Sequence, residues 1–312
     1  MEAIKIFAPA SVANLNCGFD ALGLCLEHVG DEMIFKKSKK LGVRITKIEG
    51  ANLPYDIHKN VAGIAADSLY KRIKPNFGIE IELYKGILPG SGIGSSSASA
   101  VGAVIGVNTL CGNPFERVDL LSHAIDGEAF ASGQRHADNV APALFGGIQL
   151  IRDHKTNDIL SLPFSSDLRV LVIHPQVEIK TSEARALLPK QIKLNNAVKA
   201  WANLGALVHG FHTIDYPLIS RAMEDLIVEP HRKSLIPGFD DMKEIALKNG
   251  AISFGISGSG PSMFALVNKD SDIDKIQYDW MLKMSEYNLE SRQYLSHINA
   301  FGAKKMEENA VL

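Results

Sequence analysis

The chain has 312 residues, of which 46% are hydrophobic and 22% are charged, and its formal net charge is −2. This composition is typical of a globular protein and excludes an intrinsically disordered chain. The near-zero charge provides no strongly basic surface, so neither nucleic acid nor an anionic membrane is an expected partner. The length predicts about two domains with a sizeable core.

The cysteines and the N-terminus indicate the compartment. Cys17, Cys25 and Cys111 are odd in number and have no CxxC spacing, which is typical of reduced thiols in a cytosolic protein. The N-terminus has no basic start followed by a long apolar block, and the chain has no run of about 18 apolar residues. We therefore expect a soluble, cytoplasmic protein.

Strands and helices are mixed in the first half of the chain. Alternating apolar residues predict strands, and apolar residues spaced by three and four predict helices. The predicted strands are 3–9, 31–37, 42–49, 78–84 and 146–152, with a polar turn joining the second and third. The predicted helices are 60–73, 97–110 and 116–132. The last of these helices ends at Gly133, a plausible C′ residue.

A polar stretch at 154–166, broken by Pro163, separates the two halves. We place a domain boundary near residue 166, which gives an N-terminal domain at 1–166 and a C-terminal domain at 167–312. Predicted strands follow at 168–174, 251–256, 263–267 and 296–300. Predicted helices follow at 182–188, 195–213, 218–228, 240–248 and 273–286. Because strict βαβ alternation is absent, the predicted fold class is α+β with two domains.

The sequence LPGSGIGSSSASA at 88–100 lies between a predicted strand and a predicted helix. Its glycines let backbone N–H groups converge, and a helix start adds free N–H groups and the positive end of the dipole. Such a loop suits a phosphate, and the alternative is a glycine-rich turn with a serine as the N-cap. The Walker pattern is absent. The dinucleotide fingerprint fits poorly, because Glu116 and Asp119, at the expected distance, fall in a predicted helix.

This stretch is similar to the phosphate loop of the GHMP small-molecule kinases, whose usual form is P-x-x-x-G-L-[GS]-S-S-A. APASVANLNCGFDALGLCL at 8–26 resembles the first motif of that family, and GISGSGPS at 255–262 resembles the third. Four further stretches resemble the homoserine kinase members: HKNVAG, GEAFASGQRHADNVAPALFGG, KTSEARALLP and VEPHRKSLIPGF. The motifs occur in the family order, so the resemblance spans residues 8–262.

The resemblance implies ATP-dependent phosphorylation of the side-chain hydroxyl of L-homoserine, which gives O-phospho-L-homoserine in threonine biosynthesis. It also implies an N-terminal domain like domain 2 of ribosomal protein S5 and a ferredoxin-like C-terminal domain. ATP and homoserine would meet in the cleft between these domains, with Mg²⁺ as cofactor. A homodimer is implied as well, since homodimers are common in the family.

The resemblance also implies which residues hold ATP and the metal. Ser96 would bind Mg²⁺ through its hydroxyl, and Glu128 would supply a carboxylate, a ligand that Mg²⁺ favours. The residues implied to bind ATP are Asn60, Pro89, Gly90, Ser91, Gly92, Ile93, Gly94, Ser95, Ser96, Ser97, Ala98 and Ser99. Structural alternatives exist for three of these residues: Ser96 as an N-cap, Glu128 as a solvated helix residue and Asn60 as the cap of the helix that it begins.

For the amino-acid substrate, Arg185 and Arg232 match the carboxylate-binding positions, where a guanidinium group suits a planar anion. The full set of matching positions is Asn14, Asp20, His136, Asn139, Thr181, Arg185, Arg232 and Gly258. Asn14 and Asp20 match positions that contact the amino and hydroxyl ends of the substrate. The alternatives are turn chemistry for Asn14 and Asp20, a surface ion pair for Arg185 and a structural role for His136.

Asn139 bears on the mechanism, because several GHMP kinases have an aspartate as general base at this position. An amide cannot take up a proton, and Asp138 would point about 100° away if the two residues lay in a helix. We therefore hypothesise transfer without a protein base, in which the proton passes to phosphate or solvent.

Two other functions stay open from the sequence. The first is a GHMP kinase that acts on a different small alcohol, although Arg185 and Arg232 favour a substrate with a carboxylate. The second is a nucleotide- or dinucleotide-binding oxidoreductase or a non-catalytic nucleotide sensor. The chain has no HExxH motif, no Cys/His zinc cluster and no GxSxG elbow, which argues against metalloprotease and serine hydrolase activities.

Overall fold

The computed structural model describes residues 3–307. The strands in this part of the chain are β1 (Ala3–Ala13), β2 (Leu22–Ser38), β3 (Val43–Glu49), β4 (Gly78–Tyr84), β5 (Ile148–Asp153), β6 (Asp158–Leu162), β7 (Arg169–Pro175), β8 (Ser253–Ile256), β9 (Met263–Val267), β10 (Ser291–His297) and β11 (Lys304–Lys305). The helices are α1 (Val61–Ile73), α2 (Ser95–Leu110), α3 (Arg117–Ser132), α4 (Val140–Phe145), α5 (Thr181–Ala186), α6 (Leu194–Thr213), α7 (Tyr216–Ala222), α8 (Glu229–Arg232), α9 (Phe239–Lys248) and α10 (Ile273–Glu286).

The first sheet has the strand order β11-β1-β2-β4-β3, and β5 and β6 extend it from β2. β2 pairs antiparallel with β1, β4 and β5, while β3 and β4 are parallel and are joined by α1. The predicted strands 31–37 and 42–49 are therefore not paired with each other, because β4 lies between them. The parallel pair requires a crossover connection, which α1 supplies.

Helix α2 is buried along nearly its whole length beneath this sheet. Small residues allow the close approach of helix and sheet: a Cβ on Gly102 would lie 2.4 Å from the Met33 sulfur, and one on Gly106 would lie 2.1 Å from Phe35 Cε2. The apolar run after the phosphate-loop motif thus packs α2 closely against the core.

The second sheet is antiparallel, in the order β10-β7-β9-β8. Alternate residues of β7 enter different cores, as expected for a strand buried on both faces. Val170 and Val172 pack with Phe211 of α6 and with apolar residues of the first sheet. Leu171 packs with Trp280 of α10 on the opposite face. One apolar core therefore joins the two sheets.

The predicted α+β class is confirmed, and several element predictions need correction. The two sheets divide between β6 and β7, while β11 returns to the first sheet from beyond residue 166. The stretch 154–166, predicted as a loop, contains β6, which pairs with β5. The predicted helix 218–228 ends at Ala222, and the predicted strand 296–300 is replaced by β10. The short helices α4 and α8 were not predicted, because four to six residues carry little periodicity.

The Gly106→Ala substitution should lower the free energy of unfolding by about 1–3 kcal/mol, because its methyl group would overlap Phe35. In a Phe35→Leu background the same substitution should cost clearly less, since the ring edge is gone. Chemical denaturation of the four proteins measures this coupling. An equal cost of Gly106→Ala in both backgrounds would contradict the proposed packing.

Candidate active site

A cleft of about 470 Å³ lies between the loop before α2 and the loop after β8. Most of the predicted site residues line it: Asn14, Asp20, Asn60, Pro89, Gly90, Ser91, Gly92, Gly94, Ser95, Ser96, Ser97, Ser99, Glu128, His136, Asn139, Thr181, Arg185, Arg232 and Gly258. Ile93 and Ala98 instead lie in the apolar core that joins the two sheets.

The glycines of the loop adopt conformations that other residues disfavour. Gly90, Gly92 and Gly94 have φ angles of +73°, +84° and +73°. Space is a second constraint, since a Cβ on Gly92 would lie 2.6 Å from the carbonyl oxygen of Gly260, and one on Gly94 would lie 2.3 Å from Ser11 Oγ. The alternating glycines therefore serve both backbone conformation and close packing.

Hydrogen bonds from two directions hold this loop in place. Ser257 Oγ donates to the Gly92 carbonyl at 2.8 Å, and the Ser262 amide donates to the Ser91 carbonyl at 3.2 Å. The Ser11 amide donates to the Ile93 carbonyl at 3.2 Å. Three hydrogen bonds from other parts of the chain thus hold the backbone of the loop.

Helix α2 begins at Ser95, two residues earlier than predicted, and its N-cap is Gly94 in the left-handed conformation. The interpretation of Ser96 as an N-cap is therefore wrong. Ser95 Oγ donates to the Ile87 carbonyl at 2.9 Å and is used structurally. The helix N-terminus brings free N–H groups and the positive end of the dipole to the cleft.

Glu128 of α3 is 8% exposed and lies opposite this helix start. Burial raises the pKa of its carboxyl, and hydrogen bonds with Ser96 and Ser97 and the charge of Lys85 act in the opposite direction. Ser97 Oγ donates to Glu128 Oε2 at 2.9 Å. The interpretation of Glu128 as a solvated helix residue is therefore wrong.

These groups suit a magnesium ion that is shared with phosphates. A buried carboxylate and adjacent hydroxyls are hard oxygen donors, and Mg²⁺ typically takes one or two carboxylates together with substrate phosphates and waters. Within residues 3–307, no group of three or more His, Cys, Asp or Glu side chains is arranged to hold a metal ion.

Lys85 was missed by the sequence analysis. Its side chain is 1% exposed, forms an ion pair with the equally buried Asp31 and lines the cleft. Its ammonium also donates to the Ser95 carbonyl at 3.0 Å and to Ser99 Oγ at 2.8 Å. A lysine at the end of β4, directly before the glycine loop, was the available signal. The ion pair fixes the loop and the first turn of α2 to the sheet.

The other end of the cleft carries the predicted arginines. Arg185 Nη2 donates to both carboxylate oxygens of Asp20, at 2.8 and 3.0 Å, and lies 3.1 Å from His136 Nε2. Arg185 Nε is buried and has no hydrogen-bond partner among the described residues. Arg185 therefore pairs with Asp20 in the cleft, and the interpretation of Arg185 as one half of a surface ion pair is wrong.

Arg232 is 2% exposed. Nη1 donates to the Gly258 carbonyl at 2.9 Å and Nε donates to the Ala184 carbonyl at 3.3 Å. Burial, followed by the charge of Arg185, lowers the pKa of this guanidinium. No carboxylate in residues 3–307 forms an ion pair with it. A buried cation whose hydrogen bonds go to neutral carbonyls favours an anionic ligand.

Phe19 was also missed, although it lies in the quoted motif NCGFD. The guanidinium carbons of Arg185 and Arg232 each lie 5.3 Å from the centre of its ring. Cation–π attraction to a shared ring offsets part of the repulsion between the two cations. Phe19 thus holds both arginines at one end of the cleft.

The turn after β1 positions Asp20, whose negative charge faces the arginines. Asn14, Leu15 and Asn16 have φ angles of +76°, +42° and +59°, a left-handed run that is costly for residues other than glycine. Asn14 Nδ2 donates to the Gly258 carbonyl at 2.8 Å, and its Oδ1 accepts the Asp20 amide at 3.1 Å. The strained turn therefore sets the position of Asp20 in the cleft.

Asn139 and Asp138 lie in a turn before α4, and both line the cleft. The assumption that they lie within a helix and point apart is therefore wrong. Asn139 Oδ1 accepts a hydrogen bond from Ser11 Oγ at 2.8 Å, so its amide NH₂ is the group left for a ligand. Burial, followed by repulsion from Asp20 and Glu128, raises the pKa of Asp138 to about 7.

Two residues that were predicted to contact ligands, Asn60 and Thr181, have partners within the protein. Asn60 caps α1, since its Oδ1 accepts the amides of Ala62 and Gly63 at 3.0 and 3.4 Å, and its Nδ2 donates to the Pro54 carbonyl at 2.9 Å. Thr181 Oγ1 lies 3.4 Å from Ser259 Oγ. The capping role of Asn60 is therefore confirmed, and its contact with a nucleotide stays a prediction.

The raised pKa of Asp138 gives a pH-dependent stability. Between about pH 4 and pH 7 the native state holds a proton that the unfolded chain has released, so the contribution of Asp138 to stability falls as the pH rises through this range. On going from pH 5 to pH 8, Asp138→Asn should gain about 2–3 kcal/mol relative to the parent protein. Chemical denaturation at both pH values, with a chelator present, measures this difference.

The matched control for that measurement is Asp240→Asn, whose carboxylate is exposed at the start of α9. It should change the stability by a similar amount at both pH values. A pH-independent effect of Asp138→Asn would contradict the raised pKa.

Two family models match the chain, one in each half. A family model described as the GHMP kinases N terminal domain matches residues 58–147, and one described as GHMP kinases C terminal matches residues 207–284. No helix in the described part of the chain is long and apolar enough to cross a membrane.

Relatives match over nearly the whole chain. The homoserine kinase of Chlorobium phaeobacteroides (strain BS1) is 39% identical over 97% of this chain and 99% of its own length. That of Methanococcus vannielii is 37% identical over 88% and 91%. The crystal structure of homoserine kinase from Cytophaga hutchinsonii superimposes with a TM-score of 0.94 at 46% identity and covers 98% of both chains. The chain therefore belongs to the GHMP kinase family, within the group of homoserine kinases.

Proposed function

We propose that this protein transfers the γ-phosphoryl group of ATP to the side-chain hydroxyl of L-homoserine and so forms O-phospho-L-homoserine for threonine biosynthesis. The observation that carries the proposal is one cleft with a phosphate loop at one end and the buried Arg232 at the other. Membership of the homoserine kinase group supports the same substrate.

The phosphate end needs little covalent chemistry, since phosphoryl transfer depends mainly on position and on neutralised charge. The loop at 88–94 and the N-terminus of α2 would hold the phosphates through backbone N–H groups. Ser91 Oγ is buried, lines the cleft and has no hydrogen-bond partner within residues 3–307, so it is available to a phosphate oxygen. Lys85 would keep this end rigid through its pair with Asp31.

We assign the magnesium site to Ser96 and Glu128. When bound there, Mg²⁺ would act as a Lewis acid that neutralises charge on the transferring phosphates. Glu128 would bind the metal as a carboxylate. Metal binding would therefore lower the pKa of this carboxyl, whereas burial raises it. Ser97, which donates to Glu128 Oε2, would orient the carboxylate.

The other end of the cleft would bind homoserine, which carries both an ammonium and a carboxylate. Arg232 and Arg185 would bind the carboxylate, and Asp20 would bind the ammonium. Because Arg185 and Asp20 pair with each other across 2.8 Å, a bound zwitterion would supply an opposite charge to each partner. His136, Thr181 and the Gly258 region would complete the pocket.

The proposal includes transfer without a protein base. Asn139 cannot accept the hydroxyl proton, and its NH₂ group would donate a hydrogen bond to the substrate instead. The hydroxyl proton would pass to phosphate or solvent as the new P–O bond forms. The carboxyl of Asp138, whose pKa burial raises to about 7, would not take up the proton in this step.

We further propose a cytoplasmic homodimer. The alternative of another small alcohol as substrate is left to experiment. The oxidoreductase and nucleotide-sensor alternatives find no support, because the matching family models and relatives are kinases.

Purified protein with Mg²⁺ and ATP should release ADP with L-homoserine much faster than with threonine, serine, shikimate or mevalonate, since these differ in size or in the charged groups that face Asp20 and the arginines. A coupled ADP-release assay measures the rates. Good turnover with another alcohol and none with homoserine would overturn the substrate assignment.

Arg232→Met should raise the KM for homoserine about 100-fold or more and leave the KM for ATP within a few-fold, because it removes a charge-assisted contact at one end of the cleft. The control is Arg221→Met on α7, whose exposed guanidinium donates a hydrogen bond to the Pro217 carbonyl of the same helix. Equal losses in both KM values would count against the assigned role of Arg232.

A further inference from the structure

Ser11 is a fully buried serine in β1, and its neighbours in the strand from residue 6 to residue 13 are apolar. A hydroxyl in such surroundings is costly unless it forms a hydrogen bond. Ser11 Oγ donates to Asn139 Oδ1 at 2.8 Å, across 128 positions of the chain. The register between β1 and β2 shifts between Pro9 and Ser11, and such irregularities beside active sites redirect side chains. The strand therefore brings a hydrogen-bond donor to a residue of the cleft.

The carboxamide of Asn139 lies between two glycines from opposite ends of the cleft. A Cβ on Gly94, the N-cap of α2, would lie 3.0 Å from Asn139 Oδ1 and 2.3 Å from Ser11 Oγ. A Cβ on Gly258, whose carbonyl accepts the hydrogen bond of Arg232 Nη1, would lie 4.0 Å from Asn139 Nδ2. The amide oxygen is therefore next to the phosphate end, and the NH₂ group is next to the arginine end.

The hydrogen bond from Ser11 distinguishes these two ends of the amide. An amide oxygen only accepts hydrogen bonds, and an amide NH₂ group only donates them. Among the described residues, Asn139 Oδ1 is the one acceptor that this buried hydroxyl bonds, so a reversed amide would leave the Ser11 hydrogen without an acceptor. With the NH₂ group toward homoserine, the substrate oxygen receives a hydrogen bond and its own hydrogen stays free to pass to phosphate or solvent.

The backbone of the same serine holds the phosphate loop. The Ser11 amide donates to the Ile93 carbonyl at 3.2 Å, one residue before the N-cap of α2. One residue of the sheet thus bonds both the loop for the phosphates and the amide for the acceptor hydroxyl. Phosphoryl transfer requires the reacting atoms to be held about 3–3.5 Å apart and in line. A residue that bonds both holders is suited to set that separation.

We propose that Ser11 is a positioning residue for phosphoryl transfer. Its hydroxyl orients the carboxamide of Asn139, and its amide fixes the phosphate loop at Ile93. Ser11 is not among the residues that line the cleft, so it acts through these partners and does not touch the substrates. The inference rests on the proposed function and specifies how the acceptor hydroxyl is held.

Steady-state kinetics tests the role of the hydroxyl. Ser11→Ala should lower kcat with homoserine about 10-fold, because the Asn139 amide loses its fixed orientation. The KM for ATP should stay within about threefold, because the backbone bond to Ile93 is kept. The matched control is Ser253→Ala in β8, a 3% exposed serine whose hydroxyl bonds the Met223 sulfur, and its kcat should stay within about twofold. A parent-like kcat for Ser11→Ala would overturn the proposal.

A double-mutant cycle separates positioning from a general structural role. In an Asn139→Ala background, Ser11→Ala should lower kcat less than about twofold, because the amide that it orients is already absent. An equal loss of kcat in both backgrounds would overturn the proposal.

Chemical denaturation of the same four proteins tests the contact without reference to activity. The two single substitutions remove the same hydrogen bond, so the double variant should lower the denaturation midpoint by clearly less than the sum of the single shifts. Additive shifts would overturn the contact between Ser11 and Asn139. Absence of homoserine turnover by the parent protein would instead overturn the proposed function, and the denaturation cycle would still decide on the contact.

Discussion

The close approach of two glycine loops from different sheets determines the geometry of the cleft. The backbone at Gly92 meets the carbonyl of Gly260 at a distance that leaves no space for a side chain. Ser257 adds a hydrogen bond to the Gly92 carbonyl, and the Gly258 carbonyl accepts from both Asn14 and Arg232. The phosphate end and the arginine end are therefore held through one short connection, so their separation does not depend on flexible side chains.

The two ends of the cleft differ in their electrostatics. The helix dipole and the loop amides attract phosphate, and the nearby Glu128 is a buried carboxylate whose charge a bound cation would compensate. Asp138 lies near enough to Glu128 and Asp20 for both to raise its pKa. Arg232 is the converse case, a buried cation bonded to carbonyls. Buried charged groups such as Glu128 and Arg232 are expected where ligands of opposite charge bind.

Local patterns were sufficient for much of this description. The glycines at 90, 92 and 94 predicted a phosphate loop, because strand, loop and helix follow one another directly in the sequence. β4, β9 and α10 were predicted with their observed bounds, since each has clear apolar periodicity. The resemblance brought together site residues from both halves of the chain, and most of them line one cleft.

Features that depend on tertiary contacts were not predictable in this way. The Asp31–Lys85 pair joins residues 54 positions apart in the chain, and each residue alone looks like a solvated charge. The role of Phe19 becomes evident only when Arg185 and Arg232 are both seen to lie near its ring. Asp138 was dismissed on an assumed helix, whereas the turn before α4 leads it into the cleft. The first two errors concern the surroundings of a side chain, and the third concerns the local backbone that carries it.

Phosphorus NMR of the reaction product tests the central claim most directly, because it identifies the acceptor atom. With ATP and Mg²⁺, L-homoserine should yield a phosphomonoester signal coupled to its terminal methylene protons. 3-Amino-1-propanol, which keeps the hydroxyl and the ammonium but lacks the carboxylate, should yield none under the same conditions. Equal phosphorylation of both compounds, or no phosphorylation of homoserine, would contradict the account.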